Sequence, residues 1–390
     1  MRIIHVQGVF SPEHGGPAHS LANYCKGQAK RGHRVSAWAL EGFPRASPAI
    51  RLPPPIEMMV HRVEFPHSLG RSRSMRQALA LAENPDVIHL HGTWLRAMHY
   101  GAREAQRRRI PYMVELMGMY EPYGLRTKWL RKRVARRWFQ DEILKRAQCL
   151  HVSSSQEGEN LRQLGFQAPL AVIPVGVDIE AIAARQHSQK APPAWPDAGR
   201  CFLYLSRIHE KKGIELLLRA WAALAARFPD WHLVIAGTGS SHYVERCRQL
   251  SVDSHIEDRC SWLGHLTEDE KNWALSRAEF FVLPSFSENF GNAVAEALAH
   301  GAPVLTTDKT PWKGVLHQHC GWIASPSVAS LLPALELALG RSPAELKEMG
   351  DRGRIWCEAE FSLAHALDDL EAVYSWITGT SAKPDCVIDG

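Results

Sequence analysis

Short apolar runs recur along the chain, and the segments between them repeat apolar residues at three- or four-residue spacing. Such runs predict buried strands, and the segments between them predict amphipathic helices. The predicted strands are Arg2–Val6, Arg34–Leu40, Asp86–Leu90, Pro111–Leu116, Cys149–Ser153, Leu170–Pro174, Cys201–Leu205, His232–Ala236, Ser261–Leu266, Val282–Leu283 and Pro303–Thr306. Because strands and helices alternate, we expect an α/β protein with doubly wound, mostly parallel sheets.

The segment Ile179–Gly199 is rich in proline, alanine and polar residues, which is typical of a boundary between domains. A chain of 390 residues with 45% hydrophobic residues can form two domain cores but not three. We therefore expect a first domain over residues 1–180 and a second over residues 181–360. Residues 379–390 are predicted to be a loose tail.

The stretch Val282–Asp308 reads as a strand, a polar loop, a helix over Gly291–His300 and a second strand. Glu288 and Glu296 flank the start of that helix, about 12 Å apart if most of the intervening chain is helical. Amides at a helix N-terminus attract a diphosphate, and those predicted here belong to Asn289, Phe290, Gly291 and Asn292. Glu296 can then accept from ribose hydroxyls and Glu288 from sugar hydroxyls. Alternatively, both are ordinary surface acids of a helix.

Three further sets of residues follow predicted strands, where open α/β sheets bind ligands. Arg207 and Lys212 can hold a diphosphate from two sides, or belong to an ordinary basic loop. His91 follows the strand Asp86–Leu90 and is either catalytic or a simple loop histidine. Gly16, with Gly15 before it, either permits close approach of a phosphate or only forms a turn.

The net charge of +5 is unevenly placed, because residues 103–146 contain 13 lysines and arginines against five acidic residues. Within this region, Arg126–Arg146 is predicted to be one long basic helix with apolar residues at Trp129, Leu130, Val134 and Trp138. That pattern favours an anionic membrane surface as partner. The alternative is a helix packed on its own domain. Nucleic acid is not expected, since no recognition module accompanies the charge.

The eight cysteines contain no CxxC pair, so we expect reduced thiols in a cytoplasmic protein. We also expect no signal peptide, because Met1 leads directly into a strand, and no membrane-spanning helix. The expected location is therefore cytoplasmic, at the inner face of the cell membrane.

The spacing of Glu288 and Glu296 within PSFSENFGN and EALAHGAPV resembles the signature of retaining glycosyltransferases of family 4, which have the GT-B fold. The strand–RxxxxKG–helix pattern at residues 207–213 and the PVGVD segment at residues 174–178 are similar to further motifs of that family. Residues 306–312 and 320–322 resemble the branch that builds bacterial surface polysaccharides.

The resemblance implies two Rossmann-like domains facing each other across a cleft, with a C-terminal helix over about residues 361–378 crossing back to the first. The second domain would hold a UDP- or GDP-linked sugar and the first an acceptor. Arg207 and Lys212 would stabilise the leaving diphosphate without a metal or other cofactor. Gly16 would lie against the donor phosphates, and Leu266 would contact the base.

One position departs from the family pattern, because Met117 stands where relatives commonly have a histidine. A thioether cannot transfer a proton, so His91, Glu115 or Glu121 would have to compensate. The expected reaction is hexosyl transfer to a glycan or lipid-linked acceptor in lipopolysaccharide, O-antigen or exopolysaccharide synthesis. The alternatives are a catalytically weak sugar-nucleotide-binding subunit and a nucleotide-sugar 2-epimerase on the same fold.

Overall fold

The computed structural model of the 390-residue chain separates into two units, each built around its own parallel sheet. Unit 1 consists of Met1–Gly176 and Leu363–Gly390, and unit 2 is Val177–Ser362. The residues that the structure describes are 1–12, 15–44, 46–126, 129–185, 190–197 and 199–390.

Unit 1 contains eight strands in the order β14-β7-β6-β5-β4-β1-β2-β3, all parallel except β14. Its strands are β1 Arg2–Val9, β2 Arg34–Glu41, β3 Glu57–Arg62, β4 Val87–His91, β5 Tyr112–Glu115, β6 Cys149–Val152, β7 Leu170–Val172 and β14 Val387–Ile388. Its helices are α1 Gly16–Lys30, α2 Arg73–Leu81, α3 Arg96–Arg108, α4 Pro122–Arg126, α5 Trp129–Ala135, α6 Asp141–Lys145, α7 Ser155–Gln163 and α16 Leu363–Ile377.

Unit 2 contains six parallel strands in the order β10-β9-β8-β11-β12-β13. Its strands are β8 Arg200–Leu205, β9 Trp231–Ala236, β10 Cys260–Gly264, β11 Phe280–Leu283, β12 Val304–Thr307 and β13 Gly321–Ala324. Its helices are α8 Ile179–Arg185, α9 Ile214–Leu224, α10 Ser241–Asp253, α11 Glu268–Arg277, α12 Asn292–Ala299, α13 Gly314–His317, α14 Val328–Leu339 and α15 Pro343–Glu360. The strand order reverses between β8 and β11, as in other doubly wound sheets.

Both sheets are covered by helices, which explains why both faces of their central strands are buried. In unit 2, aromatic rings fill the space beside the sheet. Phe202 stacks on Phe280 with ring centroids 5.1 Å apart. Trp221 packs edge-on against Phe202, and Trp231 packs edge-on against Phe280. Capping boxes, formed by Thr267 with Glu270 and by Ser342 with Glu345, begin α11 and α15. The expected α/β class with two doubly wound sheets is confirmed.

The C-terminus differs from the expected loose tail. Val387 and Ile388 form β14, which pairs antiparallel with Ala171 and Leu170 of β7, and Val387 is buried. A two-residue edge strand has little sequence signal, because only one of its side chains is buried.

The basic segment is helical without a break from Trp129 to Lys145, as predicted, but it contains a π-helical turn within that helix. It consists of the end of α4, α5, a π-helical turn over Arg136–Gln140 and α6, while residues 127 and 128 lie outside the described part. The predicted strands did not include β3, no bounds were predicted for α2 or α3, and α8 occupies the start of the expected linker. Across the described residues, no helix combines the length and apolarity needed to cross a membrane.

Candidate active site

The charged residues of unit 2 gather beyond the carboxyl ends of β8 and β11, where the strand order reverses. Arg207 follows β8 by two residues, and Lys212 ends a short 3-10 turn over Glu210–Lys212. The loop after β11 carries Glu288 and leads to α12. Such a switch point is where doubly wound sheets bind ligands.

Lys212 and Glu288 form an ion pair at this point. The Lys212 Nζ donates to Glu288 Oε1 at 2.6 Å, and Ser285 Oγ donates to the same oxygen at 2.6 Å. Their side chains are 15% and 7% exposed, so the pair is largely shielded yet reachable. An ammonium has three donors, and Lys212 can therefore keep Glu288 while donating to a phosphate oxygen.

Gly213 allows the loop after β8 to pass close to the loop after β11. Its φ is +69°, and a Cβ there would lie 2.0 Å from the carbonyl oxygen of Pro284. The Phe286 amide donates to the Lys211 carbonyl at 2.8 Å, which ties the same two loops together. A glycine is therefore required for Lys212 to reach Glu288.

Arg207 is exposed, and among the residues that the structure describes its guanidinium has no ion-pair partner. Its neighbour Ile208 donates its amide to the Thr238 carbonyl at 2.8 Å. The glycine turn after β9 makes this approach possible, since a Cβ on Gly239 would lie 2.1 Å from the Ile208 carbonyl oxygen. The backbone that carries Arg207 is thus held in place while the side chain stays available for a ligand.

The N-terminus of α12 has no side-chain cap among the described residues. Gly291 precedes it with φ +87°, and the helix begins at Asn292 rather than at the predicted Gly291. Phe290 is buried against Trp312, and its carbonyl accepts from the Trp312 indole, so its side chain has a packing role. The first N–H groups of such a helix need acceptors.

Glu296 lies on the second turn of α12 and is 26% exposed. The Lys271 Nζ donates to its Oε1 at 2.9 Å and approaches Glu268 at 3.2 Å. Burial opposes the charge on Lys271, but the two carboxylates outweigh burial and raise its pKa. Of the seven residues between Glu288 and Glu296, three belong to the loop and four, residues 292–295, belong to α12.

Leu266 lies two residues beyond the end of β10, whereas its strand was expected to reach that residue. It is half-buried and precedes Thr267, the N-cap of α11. Gly16 is the first residue of α1 in unit 1, after Gly15 with φ +67°. A Cβ on Gly15 would meet nothing within 4 Å.

His91 does not lie on a surface of unit 1. Its side chain is 0% exposed, its Nδ1 lies 2.5 Å from Glu115 Oε2, and its Nε2 lies 2.8 Å from His5 Nδ1. Burial lowers the pKa values of His91 and His5 to about 3 and raises that of Glu115. A histidine enclosed in this way cannot touch a substrate, so we correct its assignment to a buried structural residue.

Glu115 and Glu121 were the other two residues expected to compensate for Met117. Both are buried, so neither provides that compensation. Met117 itself has φ +53°, and the turn after it is held by Glu157. The Glu157 carboxylate accepts from the Gly118 amide at 2.5 Å and from the Ser153 amide at 2.9 Å. Burial raises the pKa of Glu157 to about 7 despite these two hydrogen bonds.

The histidines around His91 were missed by sequence reasoning. His5, His89 and His151 are buried with it on one face of the unit 1 sheet. The available signal was the two-residue spacing of His89 and His91, which places both on the same face of a strand.

Two family models match adjacent parts of the chain. The model described as "Glycosyl transferase 4-like domain" matches residues 15–176, and "Glycosyl transferases group 1" matches residues 186–356. The two matches therefore follow the division into units. The chain belongs to glycosyltransferase family 4.

Curated relatives of this glycosyltransferase include mannosyltransferases. It is 25% identical over 328 residues to the GDP-mannose:cellobiosyl-diphosphopolyprenol alpha-mannosyltransferase of Xanthomonas campestris, covering 80% of each chain. It is 26% identical over 247 residues to the lipopolysaccharide core biosynthesis mannosyltransferase LpcC of Rhizobium leguminosarum bv. viciae, covering 61% of this chain and 67% of that one.

Among solved structures, the sucrose-phosphate synthase of Thermosynechococcus elongatus is similar with a TM-score of 0.76. The two chains are 20% identical, and the match covers 98% of this glycosyltransferase and 100% of that chain. At this identity the likeness shows the fold, which is GT-B.

Proposed function

We propose that this glycosyltransferase moves a hexosyl group, with retention at the anomeric carbon, from a nucleotide-diphosphate-sugar to a hydroxyl of a glycan or lipid-linked acceptor. The observation that carries the proposal is the convergence of cations and amides at the switch point of unit 2. Lys212, Arg207 and the uncapped N-terminus of α12 all lie there, and each favours a diphosphate.

A mannosyl group from GDP-mannose is our first choice of donor, because both curated relatives described above are mannosyltransferases. Their names also support a polyprenyl diphosphate-linked glycan or a lipopolysaccharide core as acceptor. The role of this chain would then be in the synthesis of a bacterial surface polysaccharide.

In the transfer, the bond between the anomeric carbon and the diphosphate oxygen breaks, the acceptor oxygen bonds to that carbon on the same face, and the hydroxyl proton passes to the released nucleoside diphosphate. Lys212 and Arg207 would stabilise the negative charge that develops on the leaving diphosphate. The amides at Asn292 and Gly291 would bind phosphate oxygens along the dipole of α12. We propose that these protein cations serve in place of a divalent ion.

Two carboxylates would orient the donor. Glu296 would accept from ribose hydroxyls, exchanging part of its bond with Lys271 for them. Glu288, held by Lys212 and Ser285, would accept from sugar hydroxyls. Leu266 would contact the base, and Gly16 in unit 1 would permit close approach of the donor or acceptor.

Unit 1 also supports docking on an anionic membrane through the basic segment Arg126–Arg146. Trp129, Leu130, Val134 and Trp138 are all more than half exposed, and Trp138 reaches 79%. Apolar side chains that point to solvent beside arginines are typical of helices that lie in a headgroup layer. This surface would bring the enzyme to a lipid-linked acceptor.

The decisive experiment combines donor binding with product analysis. GDP-mannose, UDP-glucose and related donors are first ranked by thermal shift, since a ligand raises the melting temperature by mass action. The best donor is then incubated with polyprenyl diphosphate-linked glycans, and the anomeric configuration of the product is read by NMR.

Transfer with the configuration of the donor supports the proposal, and an inverted product contradicts it. Tight donor binding without transfer to any acceptor would favour the binding-subunit alternative. Release of an altered sugar nucleotide without acceptor would favour the 2-epimerase.

A further inference from the structure

One face of the unit 1 sheet carries a group of polar side chains that the proposed transfer reaction does not use. In the strand register His5 lies opposite His89, and Gln7 lies opposite His91. All four are at most 2% exposed beneath the sheet's covering helices. Buried polar groups of this kind need partners, and the partners indicate their role.

The ring nitrogens of His5, His89 and His91 are close enough to share a metal ion. One ligand atom from each lies within 4.8 Å of the other two, and His5 Nδ1 lies 2.8 Å from His91 Nε2. A tetrahedral ion with metal–nitrogen distances of about 2.0–2.1 Å needs its ligands about 3.3 Å apart. The pair would therefore have to separate by only about 0.5 Å to admit an ion.

Each of the three histidines has one ring nitrogen close to an oxygen, and the remaining nitrogen of His89, Nε2, also lies 3.4 Å from His151 Nδ1. His5 Nε2 lies 2.7 Å from Gln28 Oε1, His89 Nδ1 lies 2.7 Å from the Tyr374 hydroxyl, and His91 Nδ1 lies 2.5 Å from Glu115 Oε2. Metal-binding histidines are oriented in this way by outer oxygen partners, including carboxylates.

The arrangement of protons also favours a cation. If His5 donates to Gln28 and His91 donates to the Glu115 carboxylate, the two nitrogens that face each other at 2.8 Å carry only lone pairs. A metal ion between them removes this repulsion. Without a metal, the repulsion is removed if a protonated Glu115 donates to His91, if His91 is doubly protonated, or if the Gln28 amide, whose NH2 has no partner among the described residues, is turned to donate to His5 Nε2.

Two buried side chains beside the histidines have polar atoms with no partner among the described residues, namely both amide atoms of Gln7 and the hydroxyl of Tyr24. The Tyr24 ring lies over the group, with its centroid 6.5 Å from that of His91. Gln7 shares the face of His5 because the two are two residues apart on β1.

We propose that unit 1 binds one divalent transition-metal ion of the zinc class through His5, His89 and His91. Imidazole ligands favour such an ion over magnesium or calcium. The second possible group, His89 with Glu115 and His151, shares His89, and its Glu115 already accepts from His91. The ion is structural, because it lies within unit 1, and Tyr374 links it to the C-terminal helix α16.

The test uses the full chain. Protein purified without chelators is assayed for metal by mass spectrometry, and about one zinc per chain is expected, retained against chelator until the protein is unfolded. Refolding with Co²⁺ as a probe should produce the visible absorption of tetrahedral cobalt. Absence of both metal and cobalt absorption in refolded, native protein overturns the proposal and favours a metal-free hydrogen-bond chain through His5, His91 and Glu115.

Single substitutions test whether the proposed histidines bind the ion. His5→Gln and His91→Gln should lose it, whereas His99→Gln, a half-buried histidine of α3, should retain it. Should the first two fail to fold, Glu115→Gln provides a milder change, for which metal affinity in competition with a chelator should fall about 10- to 100-fold. Unchanged affinity in Glu115→Gln, or full metal content in folded His5→Gln, would exclude this site.

Discussion

In unit 1 the histidines and Glu115 lie on the strands themselves, and His91 and Glu115 are the last residues of β4 and β5, whereas in unit 2 Lys212 and Glu288 lie in loops beyond the strand ends. His91 and Glu115 are 0% and 1% exposed. Lys212 and Glu296 are 15% and 26% exposed. The middle of the unit 2 sheet is filled by aromatic rings instead, such as Phe202 and Phe280.

This difference separates two uses of similar side chains. An ion pair that solvent can reach is able to exchange its partner for a substrate at modest cost, because water and ligand both compensate the charge. A buried pair cannot, since removing one partner leaves a charge without compensation. We therefore expect the donor-binding groups in unit 2 and groups that stabilise the fold in unit 1.

The largest expected effect concerns the cations of unit 2. Lys212→Ala or Arg207→Ala should lower turnover about a hundredfold or more, the usual loss for one preorganised group that stabilises charge in the transition state. Arg219→Ala, on the exposed face of α9, is the matched control and should keep full turnover. Steady-state kinetics measure all three, and near-normal turnover of either site variant would remove that residue from the site.

The next largest effect concerns binding of the nucleoside diphosphate, which shows whether Glu296 binds ribose or only neutralises Lys271. Glu296→Gln should weaken binding of the nucleoside diphosphate by about 1–3 kcal/mol, because a charge-assisted acceptor is lost. Glu268→Gln removes the other carboxylate near Lys271 without touching the ribose position. Calorimetry should show a change for Glu296→Gln alone. Equal losses in both variants would mean that the charge on Lys271, not ribose, explains the effect.

A smaller effect is expected for the exposed apolar side chains of the basic segment Arg126–Arg146. Changing Trp129 and Trp138 to Ser together should reduce binding to anionic vesicles about tenfold or more, since both indoles would leave the headgroup layer. Binding of the unmodified chain should weaken as salt rises, because each engaged lysine or arginine contributes about 1 kcal/mol at low salt.

Charge is best tested with the exposed Arg133 changed to Gln, because Lys132 and Arg136 make contacts within unit 1. Lys132 donates to the Gly124 carbonyl, and Arg136 pairs with Asp141. Co-sedimentation with anionic and neutral vesicles measures each variant. Equal recovery on the two lipid types would leave this segment as an ordinary part of unit 1.

The smallest effect is a pH dependence from the buried acid Glu157. Its pKa is raised from 4.5 to about 7 in the folded protein, so the folded state holds a proton that the unfolded state releases. Its contribution to stability is complete below pH 4.5 and is lost as the pH rises through about 7. Between pH 6 and pH 8 this amounts to about 1 kcal/mol.

The measurement compares the melting temperature of the unmodified protein with that of Glu157→Gln at both pH values. Glu157→Gln also removes one hydrogen-bond acceptor, but the resulting decrease in melting temperature is the same at pH 6 and pH 8. The unmodified protein should lose a few degrees more than the variant on going to pH 8. A constant difference between the two would show that Glu157 is already ionised at pH 6.

Much of the fold could be predicted from the sequence because its signals are local. The runs that became β8 and β11 are apolar on both faces, and the capping box of Ser342 and Glu345 marks the start of α15. The edge strand β14 could not be found in this way, since its pairing with β7 joins residues more than 200 positions apart. The π-helical turn in the basic segment likewise has no local signal.

By itself, the sequence determined the α/β class, the division into two units and the position of Arg207, Lys212 and Glu288 after their strands. These follow from short-range patterns of burial and from loops that must lie at the carboxyl ends of parallel strands. The partners were decided only by the tertiary structure. Lys212 meets Glu288 76 residues away, and His89 meets Tyr374 285 residues away. Whether a histidine after a strand faces solvent or the interior depends on which helix covers it, and no local pattern contains that information.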